Sequence, residues 1–159
     1  MKACYFIFLS EMNRESQLFE ECLKTLSSID PKWPRERIFY SLDVLNYDCL
    51  IYTDGKELIG ATAFNPDREE GIAKSFLLFV SPEHRGKGIA KLLRVEFLNW
   101  AYQQGFKGAQ LGLGNSPAGV AVSEAVNKER EKLGLTFADI DSATGKVTFI
   151  RPQKIKVPG

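Results

Sequence analysis

Arg85, Gly86, Lys87 and Gly88 stand between a proline-marked stop at Pro82 and an apolar helical pattern that opens at Ile89. These residue types in this order could do chemistry. A helix N-terminus presents unpaired backbone N–H groups and the positive end of its dipole. Glycines at its entry let an anion approach the main chain closely. Arg85, Lys87 and Lys91 add positive charge nearby. A hydrogen bond to a charged group contributes about 1.5–3 kcal/mol, so several amides together suit a diphosphate. Taken alone, the glycines fit an ordinary turn with surface basic residues equally well.

Two phosphate motifs fit poorly. A P-loop requires GxxxxGK[ST], and GKGIAKLL lacks it. A dinucleotide fingerprint ends in Gly or Ala, but GKGIAK ends in Lys91. The strand that follows leads to Gly114 and Asn115, where an acid for a ribose is wanted.

The elements that must hold the turn follow from periodicity. Residues 3–9 read as a buried strand, too short to span a bilayer. Leu18, Phe19, Cys22, Leu23 and Leu26 share one helical face over 14–27. Pro34 suits the first turn of a second helix, with Ile38, Phe39, Leu42 and Leu45 as its stripe. Residues 48–64 read as two strands around Asp54-Gly55, a hairpin signal. Residues 65–71 form a polar loop, and 72–80 a strand apolar on both faces in its second half. A helix over 88–104 carries Ile89, Leu92, Leu93, Phe97, Trp100 and Ala101. A glycine-rich strand (108–114), a helix (about 118–133, stopped by Gly134) and strands at 136–140 and 146–150 complete the chain. The order β-α-α-β-β-β-α-β-α-β-β implies an α+β domain over 1–151, with a mixed, mostly antiparallel sheet flanked by helices and one βαβ crossover. Residues 152–159 read as a loose tail.

Arg85 to Ala90 also fits [Q/R]-x-x-G-x-[G/A]. With FLLFVSPEH before it and IAKLLRVEFLNWA after it, the chain resembles the GNAT superfamily of N-acetyltransferases. The resemblance implies that acetyl-CoA is the acyl donor. It implies that the amides of Gly86, Lys87, Gly88, Ile89 and Ala90, beside Arg85 and Lys91, hold the CoA diphosphate. It implies that the main chain of Leu78, Phe79 and Val80 pairs with pantetheine, as a peptide adds to a sheet edge. It also implies that the segment from Ile29 to Arg37 and the turn at 141–146 border the acceptor.

Acyl transfer from a thioester needs a neutral amine and a stabilised oxyanion, and the leaving thiolate takes a proton. Many family members carry a glutamate base six residues before the position of Val80, where this chain has Lys74. Many carry a tyrosine acid four residues before the glycine matching Gly134, where it has Arg130. Arg130 is a poor proton donor because its pKa is too high. Asn115 and Ser123 are candidate thioester or acceptor contacts, and fit helix caps as well. Glu69 and Glu70 could act through water, although solvent is their simpler partner.

Composition bounds the rest. The net charge of +1 gives no electrostatic case for nucleic acid or an anionic membrane. Cys4, Cys22 and Cys49, far apart and without a CxxC pair, read as reduced thiols of a cytoplasmic protein. His84 is the only histidine, which argues against a His-based zinc site, and no metal is expected. The expected partners are acetyl-CoA and an amine of unknown identity, with a homodimer left open. The competing reading is an acyl-CoA-binding sensor of the same fold that does not turn over.

Overall fold

The computed structural model describes residues 3–112 and 117–152. Its elements run β1 (Tyr5–Phe8), α1 (Gln17–Ile29), α2 (Arg35–Asp43), β2 (Asp48–Thr53), β3 (Leu58–Asp67), β4 (Ile72–Val80), α3 (Ile89–Gln103), β5 (Gly108–Gln110), α4 (Pro117–Lys128), β6 (Ala138–Asp141) and β7 (Lys146–Phe149). The sheet order is β1-β2-β3-β4-β5-β7-β6. Among the described residues only β4 and β5 pair in parallel. A parallel pair needs a crossover connection, and α3 supplies it. The mixed, mostly antiparallel sheet expected from the order of elements is the one observed.

Each face of the sheet has its own core. Leu93, Phe97 and Ala101 of α3 pack with Val126 of α4 and Phe64 of β3 on one face. Phe19, Cys22, Leu23 and Leu26 of α1 and Ile38 of α2 cover Ile51, Ala61 and Ala63 on the other. Leu77 and Phe79 of β4 face this second core, while Leu78 and Val80 face the first. That alternation is why 72–80 reads as apolar on both sides.

Element ends moved for local reasons. The helix expected from residue 14 starts at Gln17, because the Ser16 hydroxyl accepts the Phe19 N–H at 3.1 Å as an N-cap. The hairpin expected at Asp54-Gly55 has a longer loop, in which Asp54 Oδ1 takes the N–H groups of Lys56 and Glu57. β3 runs on through Asn65 and Pro66, paired with Lys74 and Ala73, into the expected polar loop. In the α3 stripe, Leu92 is exposed, while Arg94 and Leu98 point inward. α4 stops at Lys128 rather than near 133. Beyond it, Arg130 N–H bonds Asn127 O and Leu135 N–H bonds Arg130 O, so the regular ladder is lost. Arg151 ties the end of the domain back, donating to the carbonyls of Tyr102 and Phe106 at 2.7 Å each. The tail expectation falls on residues mostly outside those described. Among the described residues no helix is long and apolar enough to cross a membrane.

The cysteines divide by burial. Burial pushes the Cys22 thiol up to about 12 and holds Cys49 well above its usual range. Cys4 is exposed. A disulfide reagent at about pH 8, near the ordinary thiol pKa, should therefore titrate Cys4 alone in the native protein. Denaturant should release the other two. Rapid native labelling of Cys22 or Cys49 would contradict this packing.

Candidate active site

The site begins with a parting of strands. β4 and β5 pair at Ile72–Gly108, Ala73–Ala109 and Lys74–Gln110, and the ladder stops there. On its other edge β4 stays with β3 up to Val80, opposite Gly60. The β3–β4 register slips between Ala63–Leu77 and Phe64–Ser75, which leaves Phe76 as an extra, bulged residue. β4 beyond the bulge therefore has one edge without a strand partner among the described residues.

The ladder fixes which groups face that edge. Ser81 N–H donates to Ile59 O at 2.8 Å. Antiparallel pairs alternate, so Phe79 spends its polar groups on Ala61, and those of Val80 and Leu78 turn away from β3. Of the three expected strand residues, Leu78 and Val80 thus present main-chain groups to the opening. The Val80 carbonyl accepts the Arg85 Nε–H at 3.0 Å. Arg85 folds back to brace the end of the strand.

The glycine turn continues from this edge. Gly86 and Gly88 both have φ +79°, the left-handed region that L side chains rarely adopt. Gly88 is the N-cap of α3 and has no side chain to satisfy the first-turn N–H groups. A Cβ at either glycine would meet nothing within 4 Å. The turn is therefore open at both glycines. Lys91 is committed elsewhere, since its Nζ lies 2.7 Å from Glu129 Oε2 and lowers the pKa of Glu129.

Arg94 was not foreseen. Its side chain is 1% exposed, and no carboxylate pairs with it among the described residues. Nη1 donates to Ser75 Oγ at 2.7 Å and Thr62 Oγ1 at 3.3 Å, and Nη2 to Gly112 O at 3.0 Å. Burial lowers its pKa to about 10, still charged at neutral pH. The guanidinium bridges β4 to the chain leaving β5, at the foot of the parting. An arginine on the apolar face of α3 was the available signal.

The other candidates are dispersed. Lys74 reaches Glu70 at 2.7 Å and Asp67 at 3.2 Å, and both raise its pKa. It is a charged network member and a poor base. Glu70 is half of that network rather than a free carboxylate. Arg130 donates to Ala138 O at 2.6 Å and so braces β6. His84 Nε2 lies 3.8 Å from Glu57 Oε1, outside the cradle amides. Ser123 is fully buried in α4, and its hydroxyl has no partner among the described residues. Asn115 lies outside the described residues.

On the α1–α2 face, a cavity of about 480 Å³ opens against the bulge, with Lys74, Phe76 and Leu77 of β4 among its walls. The Ile29–Arg37 segment contributes to it through Asp30, Lys32, Trp33 and Arg37. The 141–146 turn does not line it.

Residues 12–119 match the acetyltransferase (GNAT) family. The chain belongs to that family. Among solved structures it is similar to GCN5 of Tetrahymena, at 17% identity and a TM-score of 0.58, covering 94% of this chain and 98% of that one. It is similar to a ribosomal-protein-alanine N-acetyltransferase from Brucella melitensis biovar Abortus 2308, at 22% identity and a TM-score of 0.59, covering 78% and 91%. A spermidine N-acetyltransferase from Vibrio cholerae, in complex with CoA and spermine, aligns at 17% identity and a TM-score of 0.55 over 77% and 78%. A search of curated protein sequences returned no match.

Proposed function

We propose that the protein transfers an acetyl group from acetyl-CoA to an amine of a small molecule or peptide by direct attack. The observation that carries this reading is the β4 edge, without a strand partner among the described residues, running into an open glycine turn at the N-terminus of α3. The edge offers pantetheine the main-chain groups of Leu78 and the N–H of Val80, whose carbonyl already accepts from Arg85 Nε. The cradle offers the diphosphate the amides of Gly86 to Ala90, with Lys87 beside them.

In the reaction a C–N bond forms between the amine nitrogen and the acetyl carbonyl carbon, and the C–S bond breaks. The amine proton passes through solvent to the departing thiolate, giving an amide and free CoA. The CoA thiol resembles a cysteine, with a pKa near 8.5, so it can leave as the thiolate at neutral pH. Lys74 and Arg130 are tied to Glu70, Asp67 and Ala138. Neither supplies the usual glutamate or tyrosine chemistry. Catalysis then rests on orientation of the two substrates and on amides of the β4 edge polarising the thioester carbonyl.

Among the described residues, Ser123 is the one buried side chain with a hydroxyl to spare. An unmade buried hydrogen bond costs about 1–3 kcal/mol. Ser123→Ala should accordingly keep or raise the melting temperature. If the hydroxyl meets the thioester sulfur, the same variant lowers kcat with acetyl-CoA affinity little changed. A large loss of stability would show that Ser123 has a structural partner instead.

The test is thiol release from acetyl-CoA over a set of amine and peptide acceptors, with Cys4→Ser protein to remove the reactive background thiol. Release that requires an acceptor supports the transferase. Tight acetyl-CoA binding with no release for any acceptor favours the sensor reading, which the commitment of Lys74 and Arg130 to structural partners supports.

A further inference from the structure

The cavity against the β4 bulge carries a recognisable chemistry. Phe76, the bulged residue, is 48% exposed, unusual for a large apolar side chain in a central strand. Trp33 stands edge-on to it with ring centroids 5.8 Å apart, and Tyr47 flanks it at 5.7 Å. Trp33 is held in place by its indole N–H, which donates to Ser41 Oγ at 3.3 Å. Three aromatic rings thus line one cavity, of a size ordinary for a small-molecule site.

Its charge is asymmetric. Arg37 and Lys32 line it without an ion pair among the described residues. Other basic residues of the same face are paired: Arg14 with Asp43, and Arg35 with Glu20. Arg37 sits 5.7 Å from the Tyr40 ring, a contact that leaves its N–H fork free for an anion. Asp30 is the one acid among the lining residues, and its Oδ1 takes the Lys32 N–H. Lys74, the third cation, is already neutralised by Asp67 and Glu70. A polyamine would meet two unpaired cations and a single carboxylate here.

We infer that the acceptor is an amine that also bears a carboxylate and an aromatic group, an aromatic amino acid being the simplest case. This rests on the transferase reading above. The aromatic group packs among Trp33, Tyr47 and Phe76, and the carboxylate meets Arg37 and Lys32. Phe76 and Leu77 belong both to the cavity wall and to the stretch of β4 where β5 has left. A ligand in the cavity therefore lies across one strand from the acyl donor.

The experiment compares phenylalanine, phenethylamine and spermidine as acceptors for wild-type protein and for Arg37→Ala. Arg37 is exposed, and among the described residues its side chain has no ion pair and stands over the Tyr40 ring, so the variant folds. Wild-type protein should show a KM for phenylalanine about tenfold or more below that for phenethylamine, the size of one charge-assisted hydrogen bond. Arg37→Ala should abolish that advantage, with acetyl-CoA affinity by calorimetry unchanged. No advantage for phenylalanine, an advantage that survives in Arg37→Ala, or a preference for spermidine would overturn the inference. If no acceptor releases thiol, the transferase reading fails by itself. Calorimetric titration of the two aromatic compounds into the CoA-loaded protein then decides. Binding that prefers phenylalanine through Arg37 keeps the carboxylate–aryl site, and equal or absent binding removes it.

Discussion

Gly88→Asp should weaken CoA binding by about a hundredfold or more while the protein stays folded. The size follows from two losses. A carboxylate placed beside the cradle repels a diphosphate, and its oxygens compete for amides that would each contribute about 1.5–3 kcal/mol to a charged ligand. A hundredfold corresponds to about 2.7 kcal/mol, so losing one or two such bonds suffices. The fold should survive because a Cβ at Gly88 meets nothing within 4 Å. Aspartate also tolerates positive φ better than most residues. Gly88→Ala separates the causes. It carries the same backbone strain, about 1–2 kcal/mol, without the charge. It should lose some stability and retain most of the affinity. Calorimetry giving a wild-type dissociation constant for folded Gly88→Asp would remove the cradle from the CoA site.

The glycine turn at the mouth of α3 was legible in the sequence because its signal is local. Two glycines, a preceding basic residue and a following apolar stripe stand within a dozen positions. The order of elements was legible for a similar reason, since periodicity and turn residues act over short windows. Features set by distant partners were not. The bulge at Phe76 arises from register against β3, and nothing in FLLFV marks it. Arg94 reads as a surface charge until its helix face is known, and its partners Thr62, Ser75 and Gly112 come from three other segments. Lys74 and Arg130 were placed by counting from Val80 and Gly134. What they do depends on Asp67, Glu70 and Ala138, which the count does not include. The cavity at the bulge takes residues from the α1–α2 connection, α2, the α2–β2 connection, β3 and β4, so its aromatic and cationic lining emerges only on folding.

The early end of α4 has the same origin. Residues 118–133 are good enough helix formers to read as one helix. Tertiary contacts override that preference where Glu129 is drawn to Lys91 and Arg130 to the Ala138 carbonyl. The chain just past α4 is thereby linked to the first turn of α3, beside the glycine turn.

Gly112→Ala should lower stability by about 1–3 kcal/mol or more, in the range of overpacked sites, and weaken acetyl-CoA binding together with it. A Cβ at Gly112 would lie 2.5 Å from Ser75 O, 3.2 Å from Ser75 C and 3.3 Å from Phe76 Cα. All three are backbone atoms, so no side chain can swing aside. The chain around Gly112 is also held from both directions. Its carbonyl accepts from Arg94 Nη2 at 3.0 Å, and the N–H of neighbouring Leu111 donates to Gly145 O at 2.8 Å. Relief must come from moving β4 at Ser75 and Phe76, where the bulge begins and β5 departs. That movement alters the edge proposed to receive pantetheine, so affinity should fall with stability. Gly105→Ala provides the control. Gly105 has φ +89° with nothing within 4 Å of a Cβ, and it lies just past the far end of α3. It should lose about 1–2 kcal/mol to backbone strain alone and bind acetyl-CoA normally. Thermal melts and calorimetry on both variants check the pair. Gly112→Ala protein with wild-type affinity would show that the parting of β4 and β5 is not where the acyl donor sits.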